Sequence, residues 1–164
     1  MEGNKTKPRL LLVFGAPCSG KTTFAEKFAK KYNLAYYNLD ELADEDKFSR
    51  ENILRILDLI SRTHANIIIE GGIGTEKYRT EIRNVFRAAG YEPALIWVQT
   101  DLATIRTRLR IRHKTIAKAK KILDSAESLE APAEYEAPII LSGKHTFETQ
   151  SKHTLAGLAD AVKR

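Results

Sequence analysis

Short apolar runs of strand length alternate along the chain with longer stretches whose apolar residues recur at helical spacing. The runs lie near residues 9–14, 34–38, 66–70, 94–98 and 138–141. One intervening stretch carries apolar residues at i, i+3, i+4 and i+7, namely Ile53, Ile56, Leu57 and Ile60, which is typical of one helix face. This alternation predicts an α/β fold, a three-layer α-β-α sandwich around a five-stranded and mostly parallel sheet.

Polar residues and glycines at the ends of the amphipathic stretches predict where helices begin and end. Ser49 is expected to cap one helix, and Thr75 is expected to cap another that stops at Gly90. A basic helix begins at Asp101, and the chain ends in a further helix. Prolines and acidic residues make 127–138 the best candidate for a mobile loop.

The composition narrows the class of protein. With 164 residues, of which 43% are hydrophobic and 29% charged, the chain has the balance of one globular domain over residues 1–164. A single cysteine leaves no partner for an internal disulfide and fits a reducing compartment. No apolar run approaches the roughly 18 residues of a membrane span, and the first residues do not resemble a signal peptide. We therefore expect a cytoplasmic protein with no membrane partner.

Charge is unevenly distributed along the chain. The net charge is +6, and a basic stretch at 101–121 is followed by an acidic stretch at 122–137. Such runs are usually solvated helix faces, and their order would also let one stretch fold back on the other. The basic isoelectric point of about 9.4 leaves room for a nucleic-acid partner. Nothing in the sequence specifies an oligomeric state.

The residues after the first apolar run carry the most specific chemistry. Gly15-Ala16-Pro17-Cys18-Ser19-Gly20-Lys21-Thr22 follows the pattern G-x-x-x-x-G-K-T and sits between a strand-like run and a helical stretch. The glycines let successive N–H groups point at phosphate oxygens. Lys21 can reach the β- and γ-phosphates, and the Thr22 hydroxyl can hold Mg²⁺. These eight residues and Thr23 form the predicted nucleotide-binding set.

Acidic residues and glycines follow two predicted strands, at the edge where parallel sheets bind ligands. Asp40 can take the proton of a hydroxyl that attacks the γ-phosphate, with Glu41 as the spare candidate and helix capping as the alternative role. Glu70 can hold magnesium through water, or it can be a solvent-facing charge at a strand end. Gly71 and Gly72 either allow close approach of a substrate or form a turn.

Arginines on the predicted basic helix supply further positive charge. Arg108 and Arg112 are four residues apart and share a face, where they can clamp the triphosphate and the transferring phosphoryl group. Arg106 and Arg110 form a second pair, which we predict to be solvated. The stretch Gly143–Thr146 follows the fifth run, where it can contact the nucleotide base.

On these residues the chain resembles the small P-loop kinases. It is most similar to the AAA-type ATP-binding domains that include zeta-toxin-like and polynucleotide-kinase-like phosphotransferases, and more distantly to shikimate and gluconate kinases. The resemblance spans about residues 9–114. It rests on the Gly15–Thr22 loop, the Asn38-Leu39-Asp40 strand end, residues 91–101 and the R-x-x-x-R pair.

The resemblance implies roles for residues that match the family motifs. Asp40 would act as the base, and Arg108 and Arg112 would bind ATP phosphates from a helical lid over about 106–137.

The resemblance also implies that Gly71–Gly72 and Arg50 contact the substrate. Two features depart from the family patterns. Leu42 and Ala43 follow the base where polynucleotide kinases and zeta toxins usually place an arginine, and Asn38 stands where shikimate kinases usually have an acid.

The leading interpretation is a kinase that uses ATP and Mg²⁺ to phosphorylate a hydroxyl of a small molecule or nucleotide. One alternative is a polynucleotide 5′-hydroxyl kinase, and another is a nucleotide-binding module that only hydrolyses ATP or transfers nothing. A regulatory GTPase is disfavoured because no N-K-x-D motif is present, which points to adenine. A motor ATPase is disfavoured because 164 residues leave little room for its added helical domain.

Overall fold

A computed structural model describes residues 7–43, 49–112, 120, 122, 124 and 129–162 of the chain. Its strands are β1 (Arg9–Phe14), β2 (Ala35–Asn38), β3 (Ile67–Glu70), β4 (Glu92–Gln99) and β5 (Ile139–Ser142). Its helices are α1 (Lys21–Tyr32), α2 (Leu39–Ala43), α3 (Arg50–Ser61), α4 (Glu76–Ala88), α5 (Leu102–Arg112) and α6 (Phe147–Val162), and a 3-10 turn lies at Glu134–Glu136. Much of the predicted lid over 106–137 lies outside the described residues.

The five strands form one sheet in the order β2-β3-β1-β4-β5. Every pairing is parallel, with Leu10 of the central strand β1 opposite Ile67 of β3 and Pro93 of β4. The prediction of a mostly parallel α/β sheet is therefore confirmed. Because the strands run in one direction, the segments that follow them meet at one edge, where ligands bind in this kind of sheet.

Alternate residues of β1 point into two apolar layers on opposite faces of the sheet. Leu10, Leu12 and Phe14 pack among residues of α3 and α4, while Leu11 and Val13 pack among residues of α1. All five side chains are almost fully buried, and burial of each such side chain contributes about 1.5–3 kcal/mol. The two layers confirm the α-β-α sandwich. Packing on both faces of the sheet also fixes the positions of the strand ends at its carboxyl edge.

Two of the predicted helix caps are present. The hydroxyls of Ser49 and Thr75 each accept a hydrogen bond from the backbone N–H three residues on, at 3.2 and 3.3 Å. The helix that begins after Thr75 ends before Gly90, whose φ of 85° suits glycine. Among the described residues, no helix has both the length and the apolar character needed to cross a membrane.

A buried ion pair ties the segment 129–136 to α4. Arg79 is fully buried, and its Nε and Nη2 donate to the Glu136 carboxylate at 3.0 and 2.8 Å. Arg83 donates to the same carboxylate at 3.1 Å. The sequence favoured a mobile loop over 127–138, but its described part is pinned to the helix. The acidic composition of this loop led to the wrong prediction, because the sequence does not distinguish Glu136 from its acidic neighbours. Glu136 is the counter-ion of two buried arginines.

Replacing Glu136 with Gln is expected to lower the free energy of unfolding by about 3–5 kcal/mol, since it leaves buried guanidinium groups without their counter-charge. Burial acts to raise the pKa of Glu136, but hydrogen bonds and the charges of Arg79 and Arg83 hold it below its usual value. The stabilisation by this charge is therefore fully present above the unfolded-state pKa of about 4.3. It is lost as the pH falls through the lower folded-state value.

Urea unfolding at pH 7 and at successively lower pH measures this effect. The control is Glu134→Gln, which neutralises an exposed acid on the same 3-10 turn and should change stability by less than about 0.5 kcal/mol. Equal losses for the two variants at pH 7 would show that the Glu136 ion pair does not stabilise the fold.

Candidate active site

The loop between β1 and α1 curls around the amino end of α1. Gly20 occupies the cap position with a left-handed φ of 101°, and Cys18 also has a positive φ, of 60°. The Ser19 N–H donates to the Ala16 carbonyl at 3.1 Å, which closes the turn. Within the described residues no side chain caps α1. The amide groups of its first turn therefore remain for an anion, the arrangement that the sequence predicted.

The carboxyl ends of β4 and β5 support this loop. Thr100 Oγ1 donates to the Ser19 carbonyl at 2.9 Å. A Cβ on Gly15 would collide with the carbonyl of Val98, and a Cβ on Gly143 would collide with the Ser19 carbonyl. Backbone from two neighbouring strand ends is thus packed directly against the loop, so the strands beneath it fix its shape.

A cavity of about 550 Å³, here named the nucleotide cavity, opens over the amino end of α1. Its lining includes five members of the predicted nucleotide-binding set and the two arginines predicted to clamp the triphosphate: Cys18, Gly20, Lys21, Thr22 and Thr23, with Arg108 and Arg112. His145 and Thr146, from the stretch predicted to contact the base, also line it. The volume falls within the roughly 300–1,000 Å³ of small-molecule sites, and the cationic lining suits a triphosphate.

Arg108 joins α5 to the nucleotide-binding loop. Its Nη1 donates to the carbonyls of Cys18 and Ser19 at 3.0 and 3.1 Å, and its Nη2 donates to the Gly143 carbonyl at 2.8 Å. Arg112, one turn further along α5, is exposed at the same cavity. The other two arginines of this helix are exposed and do not line the cavity: Arg106 and Arg110.

Asp40 lies in the short helix α2, directly after β2. The Asp40 N–H donates to Asn38 Oδ1 at 3.0 Å, so Asn38 performs the capping that the sequence allowed for Asp40. A Cβ on Gly71 would lie 2.7 Å from Asp40 Oδ2, and a Cβ on Gly72 would lie 3.6 Å from Asp40 Oδ1. The φ angles of these glycines are 82° and 60°. The pair therefore allows the close approach of a carboxylate of this chain to the end of β3.

A second cavity of about 340 Å³, here named the acceptor cavity, borders Asp40. Its described lining consists of Phe14, Gly15, Pro17, Lys21, Asp40, Gly71–Thr75 and Leu129. Lys21 lines this cavity and the nucleotide cavity as well. These two ligand-sized spaces therefore meet at one ammonium group, and the carboxylate of Asp40 lines the second of them.

Glu70 is fully buried at the end of β3. The Tyr36 hydroxyl donates to Glu70 Oε1 at 3.0 Å, while Oε2 has no hydrogen-bond partner among the described residues. Burial and the adjacent Glu70 charge raise the pKa of Tyr36 far above its usual value, so this hydroxyl remains a donor.

Magnesium fits this donor set. A buried carboxylate oxygen without a partner is satisfied by a cation or by water bound to one, and Thr22 offers a hydroxyl in the nucleotide cavity. The described residues contain no cluster of three or more potential metal-ligating side chains. Proteins commonly hold Mg²⁺ through one or two side chains, with phosphates and water completing the shell.

Two residues predicted near the acceptor lie outside both cavities. The Arg50 guanidinium stacks over the Tyr78 ring at 4.3 Å and pairs with Glu81 at 2.8 Å, so the structure does not bring it to the acceptor cavity. Glu41 is exposed and lines neither cavity. Asp40 is therefore the one carboxylate among the described lining of the acceptor cavity.

Three residues of the site were not assigned a role from the sequence. Tyr36 holds Glu70, Thr100 holds the nucleotide-binding loop, and Leu129 lines the acceptor cavity. The strand register brings β2 beside β3 and so places Tyr36 near Glu70. An apolar run does not predict which residues of two strands lie side by side, because this register depends on how the strands pair in the sheet.

A parallel sheet with a G-x-x-x-x-G-K-T loop after its central strand, and a cavity over the next helix, defines a P-loop nucleotide-binding protein. A family model described as AAA domain matches residues 10–132, and the chain belongs to this family. No curated protein shows significant similarity to the chain.

Solved structures of small kinases share the fold. A gluconokinase from Sinorhizobium meliloti 1021 aligns with a TM-score of 0.71 at 16% identity, covering 97% of this chain and 96% of that one. Shikimate kinase from Aquifex aeolicus aligns with a TM-score of 0.57 at 18% identity, covering 93% and 98%. The APS kinase of Mycobacterium tuberculosis, solved with AMPPNP and APS, aligns with a TM-score of 0.61 at 18% identity, covering 93% and 98%. The fold is therefore that of the P-loop kinases.

Proposed function

We propose that this chain is an ATP-dependent kinase that transfers the γ-phosphate to a hydroxyl of a small molecule. The proposal rests on Lys21, which lines both cavities, together with Asp40, which lines the acceptor cavity. A protein that only binds or hydrolyses ATP needs the nucleotide cavity alone. A second space that meets the first at a phosphate-binding cation suits transfer between two bound substrates.

Asp40 and the cations of the loop divide the chemistry between them. Asp40 accepts the proton of the acceptor hydroxyl while that oxygen forms a bond to the γ-phosphorus. The bond from this phosphorus to the β–γ bridging oxygen breaks, and its electron pair leaves with ADP. Lys21 and the loop N–H groups neutralise charge on the transferring group, and Arg108 and Arg112 add positive charge from α5. Phosphoryl transfer requires mainly positioning and charge neutralisation, which these residues supply.

Thr22 and Glu70 are the residues that we assign to magnesium. An ion held there would supply positive charge that offsets the charge of the ATP phosphates. Thr22 offers its hydroxyl as a ligand, and Glu70 offers Oε2 to water bound to the ion. Tyr36 holds the other oxygen, Oε1, and so fixes the orientation of the carboxylate.

A screen of ADP release tests this proposal. The purified chain is incubated with ATP and Mg²⁺ and with one member at a time of a panel of sugars, nucleosides, shikimate-like acids and 5′-hydroxyl oligonucleotides. We expect ADP release that depends on a small-molecule acceptor and yields a phosphorylated product. ATP binding with no phosphorylated product across the panel would instead support a nucleotide-binding module, and phosphorylation of oligonucleotides alone would support a polynucleotide kinase.

The arginines of α5 should differ in their effect on turnover. Arg108→Ala removes a cation and three hydrogen bonds to loop carbonyls, and we expect it to lower kcat about 10²–10³-fold. Arg112→Ala removes a cation at the same cavity and should have a smaller effect. Arg106→Ala and Arg110→Ala are the controls, since both side chains are exposed outside that cavity. Equal losses in all four variants would mean that the catalytic face has been assigned wrongly.

A methyl group on Gly71 should displace the proposed base. Gly71→Ala places a Cβ 2.7 Å from Asp40 Oδ2, and a displacement of about 1 Å can lower kcat/KM about 10²-fold. The matched control is Gly90→Ala, because Gly90 has nearly the same φ, 85° against 82°, but nothing lies within 4 Å of its Cβ position. Both variants share the backbone strain, while the contacts of the new Cβ with Asp40 and Asn38 arise only in Gly71→Ala, so Gly71→Ala should lose more stability than the control. Similar losses of acceptor-dependent ADP release would contradict the role of Asp40.

A further inference from the structure

We infer that the acceptor is a small hydroxyl compound that carries no negative charge. The inference rests on the proposed function of the acceptor cavity and adds the charge class of its ligand. Among the described residues, groups that would attract an anionic acceptor are present around this cavity, but acidic side chains of the chain itself already neutralise them. Three such neutralisations are described in turn.

The first is at the amino end of α4. Gly74 and Thr75 line the acceptor cavity and lead directly into this helix, whose free N–H groups would form an anion site. Glu130 occupies that position, since its Oε2 accepts a hydrogen bond from the Glu76 N–H at 2.7 Å. The Glu130 N–H also donates to the Gly74 carbonyl at 2.9 Å. The chain therefore supplies its own carboxylate where an acidic substrate would bind.

The second neutralisation lies behind the cavity wall. The Arg79 guanidinium stacks on Phe14, a lining residue, with 4.6 Å between its Cζ and the ring centroid. Its other contacts are the bidentate pair with Glu136 and the carbonyls of Gly74 and Glu130, both at 3.1 Å. These contacts use four of the five N–H donors of Arg79, which is fully buried and does not line the cavity.

The third neutralisation involves Arg50, the residue that the family resemblance assigned to the substrate. It pairs with Glu81 and stacks on Tyr78, and it does not line the cavity. Lys21 is then the one cation in the described lining, and it is directed to the phosphates of the donor in the proposed function.

The groups that remain favour a neutral or cationic ligand. Asp40 would repel an acidic acceptor and attract an ammonium group, and it accepts a hydrogen bond from a hydroxyl. Phe14, Ile73 and Leu129 give the cavity apolar walls. A volume of about 340 Å³ is near the lower end for ligand sites, which suits a compound of monosaccharide size.

Compounds that differ in charge on one scaffold test the inference. Glucose, glucosamine and glucuronate form one series, and glycerol, serinol and glycerate form another. Binding to the ADP- and Mg²⁺-loaded protein is measured by ligand-observed NMR, and kcat/KM is measured by ADP release. We expect the neutral or the cationic member of a series to bind, and to exceed its anionic member in kcat/KM at least tenfold.

The possible outcomes separate this inference from the proposed function. Preference for an anionic member in either assay overturns the inference and leaves the kinase proposal standing. Binding of non-anionic members without ADP release contradicts the kinase proposal and supports the inference. Absence of binding by every non-anionic member also overturns the inference, since the cavity would then not accept small hydroxyl compounds of this class.

A charge introduced into the cavity provides a second test. Leu129→Lys adds a cation to the lining and should raise the kcat/KM or affinity ratio of anionic to neutral members at least tenfold. Leu59→Lys is the control, because Leu59 is 62% exposed on α3 and lines neither cavity. An unchanged ratio in Leu129→Lys would show that lining charge does not select the acceptor, and the inference would fail.

Discussion

Replacing Asp40 with Asn is expected to lower kcat about 10²–10⁴-fold, the range that a positioned general base contributes. The amide has nearly the shape of the carboxylate but cannot take the proton of the attacking hydroxyl. The α2 start should persist, since the bond from the Asp40 N–H to Asn38 Oδ1 involves the backbone of residue 40. Affinity for ATP should also persist, because Asp40 lines the acceptor cavity and not the nucleotide cavity. Steady-state kinetics of acceptor-dependent ADP release measure kcat and the KM for ATP.

Glu41→Gln is the matched control for this experiment. Glu41 neighbours Asp40 on α2 and carries the same charge, but it is exposed and lines neither cavity. We expect its kcat to stay within about twofold of the parent, since surface substitutions away from a site have small effects. If Glu41→Gln caused the larger loss, the base would be Glu41 and the acceptor would bind on the outer face of α2.

Removing the ammonium group of Lys21, which lines both cavities, should affect phosphoryl transfer and the binding of ATP. Lys21→Ala is expected to lower kcat about 10²–10³-fold, as loss of a preorganised positive group at a reacting centre does. It should also raise the KM for ATP, because Lys21 lines the nucleotide cavity. This second effect distinguishes it from Asp40→Asn, which should leave the KM for ATP unchanged.

Lys30→Ala serves as the control for Lys21→Ala, because Lys30 is an exposed residue of the same helix and lines neither cavity. Its kinetics should match those of the parent. A Lys21→Ala protein that phosphorylated its acceptor at the parental rate would contradict the proposed function, whatever the behaviour of the control.

Much of the fold follows from local patterns. The alternation of apolar runs and helical spacings predicted the parallel α/β sheet, and Ser49 and Thr75 predicted the starts of α3 and α4, because caps act through neighbouring backbone groups. The helix α2 was not predicted. It has only five residues and follows β2 without a break, so it offers too few positions for a helical period to show.

The site likewise has one part that the local sequence predicts and one part that it does not. The nucleotide-binding loop is contiguous, so its phosphate-binding groups are visible in the sequence. The acceptor cavity is built from the ends of several strands and from Leu129, and the charges around it depend on partners distant along the chain. Arg50 looks like an available cation in the sequence, and only the fold shows that Glu81 neutralises it, as Glu136 neutralises Arg79.

The meeting of the two cavities at Lys21 has a consequence for inhibition. An adenosine group and an acceptor analogue joined by a phosphate-like linker would occupy both spaces as one molecule. The binding of the first half would then hold the second at a high effective concentration, so affinity could exceed that of either half by orders of magnitude. If the acceptor analogue is neutral or cationic, this part of the inhibitor, rather than its adenosine group, would provide selectivity over kinases with anionic acceptors.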